Sequence, residues 1–200
     1  IRMTPKSHLS LISSMLLVAL LFGCASGERR TAPASGDSPT VSVTVMAFNV
    51  ENLFDNVDDP GKDDKAYLPL EAKQNPTHIA ECNEIPVESW RNECLYLDWD
   101  EAALEHKLGV VADTILQVND GRGPDIVALQ EVENLAVLER LRTGDLQDGE
   151  YLPAVLIEGA DTRGIDVAFL SRLPLAAEPE LHPLLIPEFP DRQGDTRGVL

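Results

Sequence analysis

Pro124-Asp125-Ile126-Val127-Ala128-Leu129-Gln130-Glu131-Val132-Glu133-Asn134 is the stretch on which the reading of this chain turns. Gly123-Pro124 makes a turn, and Ile126 to Leu129 form a continuous apolar run of the kind found in strands covered on both faces. Gln130 and Glu131 then emerge at the carboxyl end of that strand. Just upstream, Leu104, Leu108, Val111, Ile115 and Val118 fall on one helical face, with Asp98 and Glu101 at capping-box spacing before them. Asn119-Asp120-Gly121 stops this helix. Downstream, Leu135, Leu138 and Leu141 predict a short second helix, and Tyr151 to Ile157 and Ile165 to Leu170 predict two more strands. Strands alternating with helices make the domain mixed α/β.

Further upstream, Val41, Val43 and Val45 alternate with Ser42, Thr44 and Met46, the period-2 signature of a half-buried strand continuing into Ala47 and Phe48. Its end carries Asn49-Val50-Glu51-Asn52. From Asp55 to about Asp98 the sequence is polar with little periodicity, and Asp58-Asp59-Pro60-Gly61 reads as a turn. We expect a long loop there, and loops of that length are usually functional or stapled. Two strands thus end in amide and carboxylate groups: Asn49 and Glu51 after the first, Gln130 and Glu131 after the second. Hard oxygen ligands of this kind suit magnesium, which needs only one or two protein carboxylates. Solvated acidic groups at strand ends are the plain alternative.

Composition narrows the partners. Sixteen Lys and Arg against 34 Asp and Glu give a formal charge of -18, which excludes a broad basic face that grips phosphate backbones by counterion release. A hydrophobic content of 44% marks a globular chain, and 200 residues fit one domain or part of a larger one. No phosphate-cradling glycine motif is present. Cys82 and Cys94 belong to no C-x-x-C pair and have no clustered histidines beside them, so zinc is not expected. His78, His106 and His182 read as solvated or packing residues.

Three segments together resemble the endonuclease/exonuclease/phosphatase family of magnesium-dependent phosphoesterases (DNase I-like): Met46-Ala47-Phe48-Asn49-Val50-Glu51-Asn52-Leu53-Phe54, the 124–134 stretch, and Arg163-Gly164-Ile165-Asp166-Val167-Ala168-Phe169-Leu170-Ser171-Arg172. The resemblance implies two packed β-sheets flanked by helices, with this chain supplying the first half. It implies an active-site role for Asn49, a metal-proximal acid at Glu51, and the principal ligand for magnesium (or manganese) at Glu131. The family usually shows Asp or Asn where Glu51 stands. Arg163, Asp166 and Arg197 are candidate substrate contacts by the same resemblance. The implied reaction is phosphodiester hydrolysis with nucleic acid as first choice of substrate, because the segment around Cys82, Trp90, Cys94 and Asp98-Trp99 looks like that of exported nucleases. A phosphatase or a sphingomyelinase-like phosphodiesterase is the alternative. A non-catalytic surface-binding lipoprotein is the alternative from another class. The family's catalytic histidine, Asp-x-Asn segment and Asp-His pair normally follow later in the domain, so the chain is expected to be an amino-terminal fragment, inactive by itself.

The first residues read as an export signal. Arg2 and Lys6 precede an apolar stretch from Leu9 to Phe22, too short and interrupted for a comfortable membrane span. Leu21-Phe22-Gly23-Cys24 resembles the bacterial lipoprotein cleavage box, implying a signal peptide over 1–23 and lipidation of Cys24. Ala25, in place of the Asp that marks inner-membrane retention, implies outer-membrane sorting. An ordinary signal peptide cut nearby is the alternative. Residues 24–40, rich in Ala, Ser, Gly, Pro and Thr, read as a flexible tether, and the folded part begins near Val41. With Cys24 assigned to lipid, export makes a Cys82–Cys94 disulfide the expectation, and two unpaired thiols the alternative.

Overall fold

A mixed sheet organises the chain. The computed structural model describes residues 40–184, 187–188 and 198–200. The stretch read as a signal peptide, Cys24, the expected tether up to residue 39 and Arg197 lie outside the described residues. Strand β1 (Val45–Leu53) pairs in parallel with β2 (Ile126–Val132), which pairs antiparallel with β4 (Asp166–Ser171). The two-residue β3 (Val155–Leu156) completes the order β1-β2-β4-β3. Before β2 the chain forms helices α1 (Pro76–Asn83), α2 (Glu88–Tyr96) and α3 (Glu101–Leu116), and after it α4 (Leu135–Thr143).

Alternation along the strands decides what is buried. Val50, Leu53, Val127, Leu129, Val132, Ala168 and Leu170 cluster with Leu104, Leu108, Val111 and Ile115 of α3 and with Val137, Leu138 and Leu141 of α4. The other face carries Val45, Ala47 and Asn49, beside their register partners Ile126, Ala128 and Gln130. Val45 there is 66% exposed. The apolar run of β2 is therefore fully covered on one face and only half covered on the other. The described residues form one sheet of the expected sandwich, and among them only an isolated bridge between His182 and Val199 adds further pairing.

Several expected boundaries shift for local reasons. Helix α3 is capped by Asp100, whose side chain accepts the Ala103 amide at 2.8 Å. Asp98 instead accepts the Leu70 amide at 2.8 Å, so it serves the preceding segment rather than a capping box. Helix α3 ends at Leu116, which leaves Val118 in the turn beyond it, and Asn119 and Asp120 then take positive φ before Gly121. The strand expected over Tyr151 to Ile157 shrinks to two residues. Upstream of it, the Ala154 amide donates to Glu139 Oε1 at 2.7 Å, and the Tyr151 hydroxyl donates to the Pro124 carbonyl at 2.8 Å.

The polar stretch from 55 to 98 is not an open loop. It contains α1, α2 and two 3-10 turns (Lys65–Tyr67 and Ala72–Gln74). Cys82 and Cys94 are joined in a disulfide that ties α1 to α2, as expected. Lys73, 1% exposed, donates to the carbonyls of Ala66 at 2.7 Å, Glu93 at 3.3 Å and Leu97 at 2.6 Å. Burial pulls its ammonium down to about 8, while three carbonyl partners supply all the acceptors a charged amine can use. Phe54 at the end of β1 stacks on Tyr67 at 4.0 Å between ring centroids, and Tyr67 meets Trp99 edge-on at 5.4 Å. These rings dock the excursion against the sheet. Hydrophobic periodicity is weak here because the segment is held by a crosslink, a buried lysine and aromatic contacts rather than by an apolar stripe.

Candidate active site at the ends of two parallel strands

Strands β1 and β2 break register at the same level. Asn49 pairs with Gln130 and the next pairing of β1 with β2 joins Leu53 to Val132, so β1 bulges through Glu51 and Asn52, both with positive φ (53° and 64°). On the other side Gln130 pairs with Val167 and Val132 with Asp166, which leaves Glu131 as the bulged residue of β2, at φ 67°. Non-glycine residues avoid this region, and such bulges re-aim side chains and gather at functional sites. Asn49 Oδ1 accepts the Glu51 amide at 2.8 Å, which shapes the first bulge from within. The structure therefore brings Asn49, Glu51 and Glu131 together at adjoining strand ends.

Basic and aromatic groups that the sequence reading missed join them. Lys107, on the turn of α3 facing this end, donates to the Glu51 carbonyl at 2.9 Å. Burial lowers its pKa, and the charges of Glu51 and Glu131 oppose that shift. The Tyr67 hydroxyl is pushed up by burial and feels both Glu131 and Arg163. The Asn52 amide hydrogen-bonds Tyr67, while Asn52 Oδ1 is buried with no partner. Spacing on α3 offered a signal for Lys107, one turn from the buried Leu104. Tyr67 had none, because its segment lacks periodicity.

Arg163 lies close enough to Glu131 to feel its charge, and its guanidinium pairs with Asp161 at 3.1 Å, which holds it protonated. A cleft of about 430 Å³ beside it is lined by Asn52, Tyr67, Trp90, Glu93 and Arg163 among others. Asp166 is placed differently. It is 1% exposed, its Oδ1 accepts the Gly159 amide at 2.8 Å, and Oδ2 has no partner. Burial raises its carboxyl to about 6. It is closed off from solvent and forms no ion pair with Arg163. Two residues beyond Glu131, Glu133 is buried as well, and its Oε2 accepts the Asp55 amide at 2.6 Å. Burial, reinforced by Asp55, Asp59 and Asp64, pushes its carboxyl up to about 8.

The donor set at the strand ends fits a small hard cation. Glu131 supplies a carboxylate, Asn49 an amide oxygen with a lone pair to spare, and Asn52 an acceptor that no described residue satisfies. Asn49, Glu51, Asn52 and Glu131 offer oxygen donors, which suit a hard cation better than a soft or zinc-type centre. His106 lines the adjoining hollow with Glu51, Asn52 and Lys107, and the nearby Cys94 is held in the disulfide. Lys107 and Arg163 place positive charge beside the acids, as binding of an anionic oxygen-rich group requires.

Residues 92–180 match the model of the Endonuclease/Exonuclease/phosphatase family. No curated protein and no solved structure gives a match. The matched residues take in Lys107, the bulged Glu131 and the Arg163 loop, while Asn49 and Glu51 lie before them. Over residues 92–180, which the mixed α/β sheet carries, the chain is similar to the endonuclease/exonuclease/phosphatase family, whose members act on phosphoesters.

Proposed function

We propose that this chain carries part of the active site of a divalent-metal-dependent phosphodiesterase, with nucleic acid as its first-choice substrate. The observation that carries the reading is the bulge at Glu131: a charged, non-glycine residue held at positive φ beside Asn49, within the field of Lys107 and Arg163. Glu131 is the principal ligand, with Asn49 and the less typical Glu51 near the ion. Bound there, magnesium or manganese supplies charge withdrawal from the phosphoryl oxygens. The Asn49 side chain fixes the bulge that presents the acid. Lys107 and Arg163 offer hydrogen bonds to the anionic oxygens, and the Asp161 partner keeps the Arg163 fork oriented before substrate arrives. The group that activates water belongs to the family's later segments.

The charge of -18 favours local contacts over a long basic track, so single-stranded or short substrates suit the chain better than sequence-independent gripping of duplex DNA. Assays of the full-length protein on DNA, RNA, a phospholipid and a chromogenic phosphodiester separate the nuclease from a phosphatase or sphingomyelinase-like enzyme. Metal-dependent cleavage lost in Glu131→Gln supports the reading. Activity indifferent to both chelator and Glu131→Gln overturns it, and no activity on any ester favours the non-catalytic surface lipoprotein. Export and membrane anchoring through Cys24 belong to the same proposal, and mass spectrometry of the mature amino terminus tests them: an unmodified terminus refutes the anchor.

A further inference from the structure

The loop after β1 and the end of β2 build a second acidic centre that the proposed chemistry at Glu131 does not use. Asp59, Asp64 and Glu133 each direct a carboxylate oxygen into one spot, all within 4.8 Å of one another. Asp64 and Glu133 are 1% and 2% exposed. Asp64 Oδ2 accepts the Asp59 amide at 2.8 Å, and Glu133 Oε2 accepts from Asp55 N at 2.6 Å and Asn134 Nδ2 at 3.3 Å. Asp64 Oδ1 is buried and has no hydrogen-bond partner among the described residues. Among the described residues no ion pair joins any of the three to a lysine or arginine.

Three converging carboxylates inside a protein need a cation, or protons shared between them, to offset their repulsion and lost hydration. Protonation of the buried acids is the alternative, which a metal-induced shift in melting distinguishes, and Asp64 Oδ1 has no hydrogen-bond partner among the described residues. From this geometry we propose that Asp59, Asp64 and Glu133 hold a calcium ion. Magnesium keeps most of its waters and takes only one or two protein carboxylates, whereas calcium accepts a shell built largely from protein oxygens. Three protein carboxylates, two of them buried, suit calcium on that ground, with remaining positions open to carbonyls and water. The ion ties the loop of Asp59 and Asp64 to the end of β2, where the Glu133 amide already donates to the Leu53 carbonyl at 3.0 Å. Its role is to brace the bulged strand ends, independently of the reading of Glu131.

Thermal unfolding of the full-length protein, stripped with chelator and then titrated with calcium or magnesium, tests this. One millimolar calcium should raise the Tm by at least about 5 °C, magnesium by less at equal concentration, and calorimetry should count one calcium site. Glu131→Gln should keep the calcium shift in full, which separates this centre from the one proposed for catalysis. Asp64→Asn should melt no lower than the stripped wild type, since it relieves repulsion, and should lose the shift. If Asp64→Asn does not fold, Asp59→Asn, on a half-buried loop position, carries the same expectation. No calcium shift in the wild type, a shift with magnesium alone, or a shift lost in Glu131→Gln and kept in Asp64→Asn or Asp59→Asn overturns the proposal.

Discussion

Asn49 Oδ1 receives the amide hydrogen of Glu51 at 2.8 Å, two residues along the same strand. This local bond closes the turn that lets Glu51 and Asn52 adopt positive φ, so the amide of Asn49 both faces the candidate site and builds it. Asn49→Ala should therefore cost more than one lost hydrogen bond. We expect about 1–2 kcal/mol of stability and a fall in activity of at least about tenfold, read by urea denaturation and turnover. Asn49→Asp keeps the acceptor and should recover the stability. If alanine leaves stability unchanged, the bond does not shape the bulge.

Glu131 sits where an L-residue is strained and asparagine is at home. Glu131→Asn should hold or slightly raise stability, by up to about 0.5–1 kcal/mol, because the left-handed backbone position suits it better. The same change should reduce phosphodiester hydrolysis at least about a hundredfold. Opposite signs in melting and in turnover are the signature sought. Parallel losses would place Glu131 in the structural framework instead.

Lys73 saturates three inward-pointing carbonyls, and no single apolar residue can. Lys73→Met should destabilise the protein by about 3 kcal/mol, since Ala66, Glu93 and Leu97 would keep buried acceptors without donors. Hydrogen exchange should show the excursion from 65 to 97 opening ahead of the sheet. A cost under about 1 kcal/mol would mean that water replaces the ammonium.

Removing the Cys82–Cys94 crosslink acts on the same excursion by another route. Cys82→Ala with Cys94→Ala should cost roughly 2–3 kcal/mol, by freeing the unfolded chain. Proteolysis should begin between α1 and α2. Labelling of either thiol in unreduced native protein would contradict the bond.

Asp166 makes stability depend on pH. Burial raises its folded pKa to about 6 from an ordinary value near 4, so its protonated form is favoured by folding. Its contribution is full below about pH 4 and is lost as pH rises through 6, on the order of 2–3 kcal/mol across that window. Asp166→Asn cannot titrate. The difference in urea midpoint between wild type and variant should therefore change between pH 4.5 and 7.5, and a constant difference would show that Asp166 titrates normally.

Periodicity made the sheet and its two covering helices readable: Leu104, Leu108, Val111 and Ile115 are buried where the pattern put them, and Val127 and Leu129 form the centre of the sheet. The strand ends of the site were readable too, because polar groups following an apolar run have few other reasons to be there. Bulges were not, since Glu51, Asn52 and Glu131 carry no glycine to announce a left-handed turn. Lys107, Tyr67 and the centre of Asp59, Asp64 and Glu133 depend on meetings across long sequence separations, which spacing within a segment cannot express. The helices α1 and α2 escaped because their order comes from Lys73 and the disulfide rather than from an amphipathic face.

The parallel pairing of β1 with β2 imposes an order on folding. Thr44 bonds Asp125 across 81 positions, and until that partner is synthesised the first strand has no neighbour for its backbone. At ordinary elongation rates of about 5–20 residues per second, it waits on the order of 4–16 s. During that interval only the segment containing α1, α2 and α3 can gain local structure. Each turn formed there shortens the effective loop that β1 and β2 must close. The 55–98 excursion, beyond framing the site, is thus a folding device that brings the two ends of the parallel pair within reach.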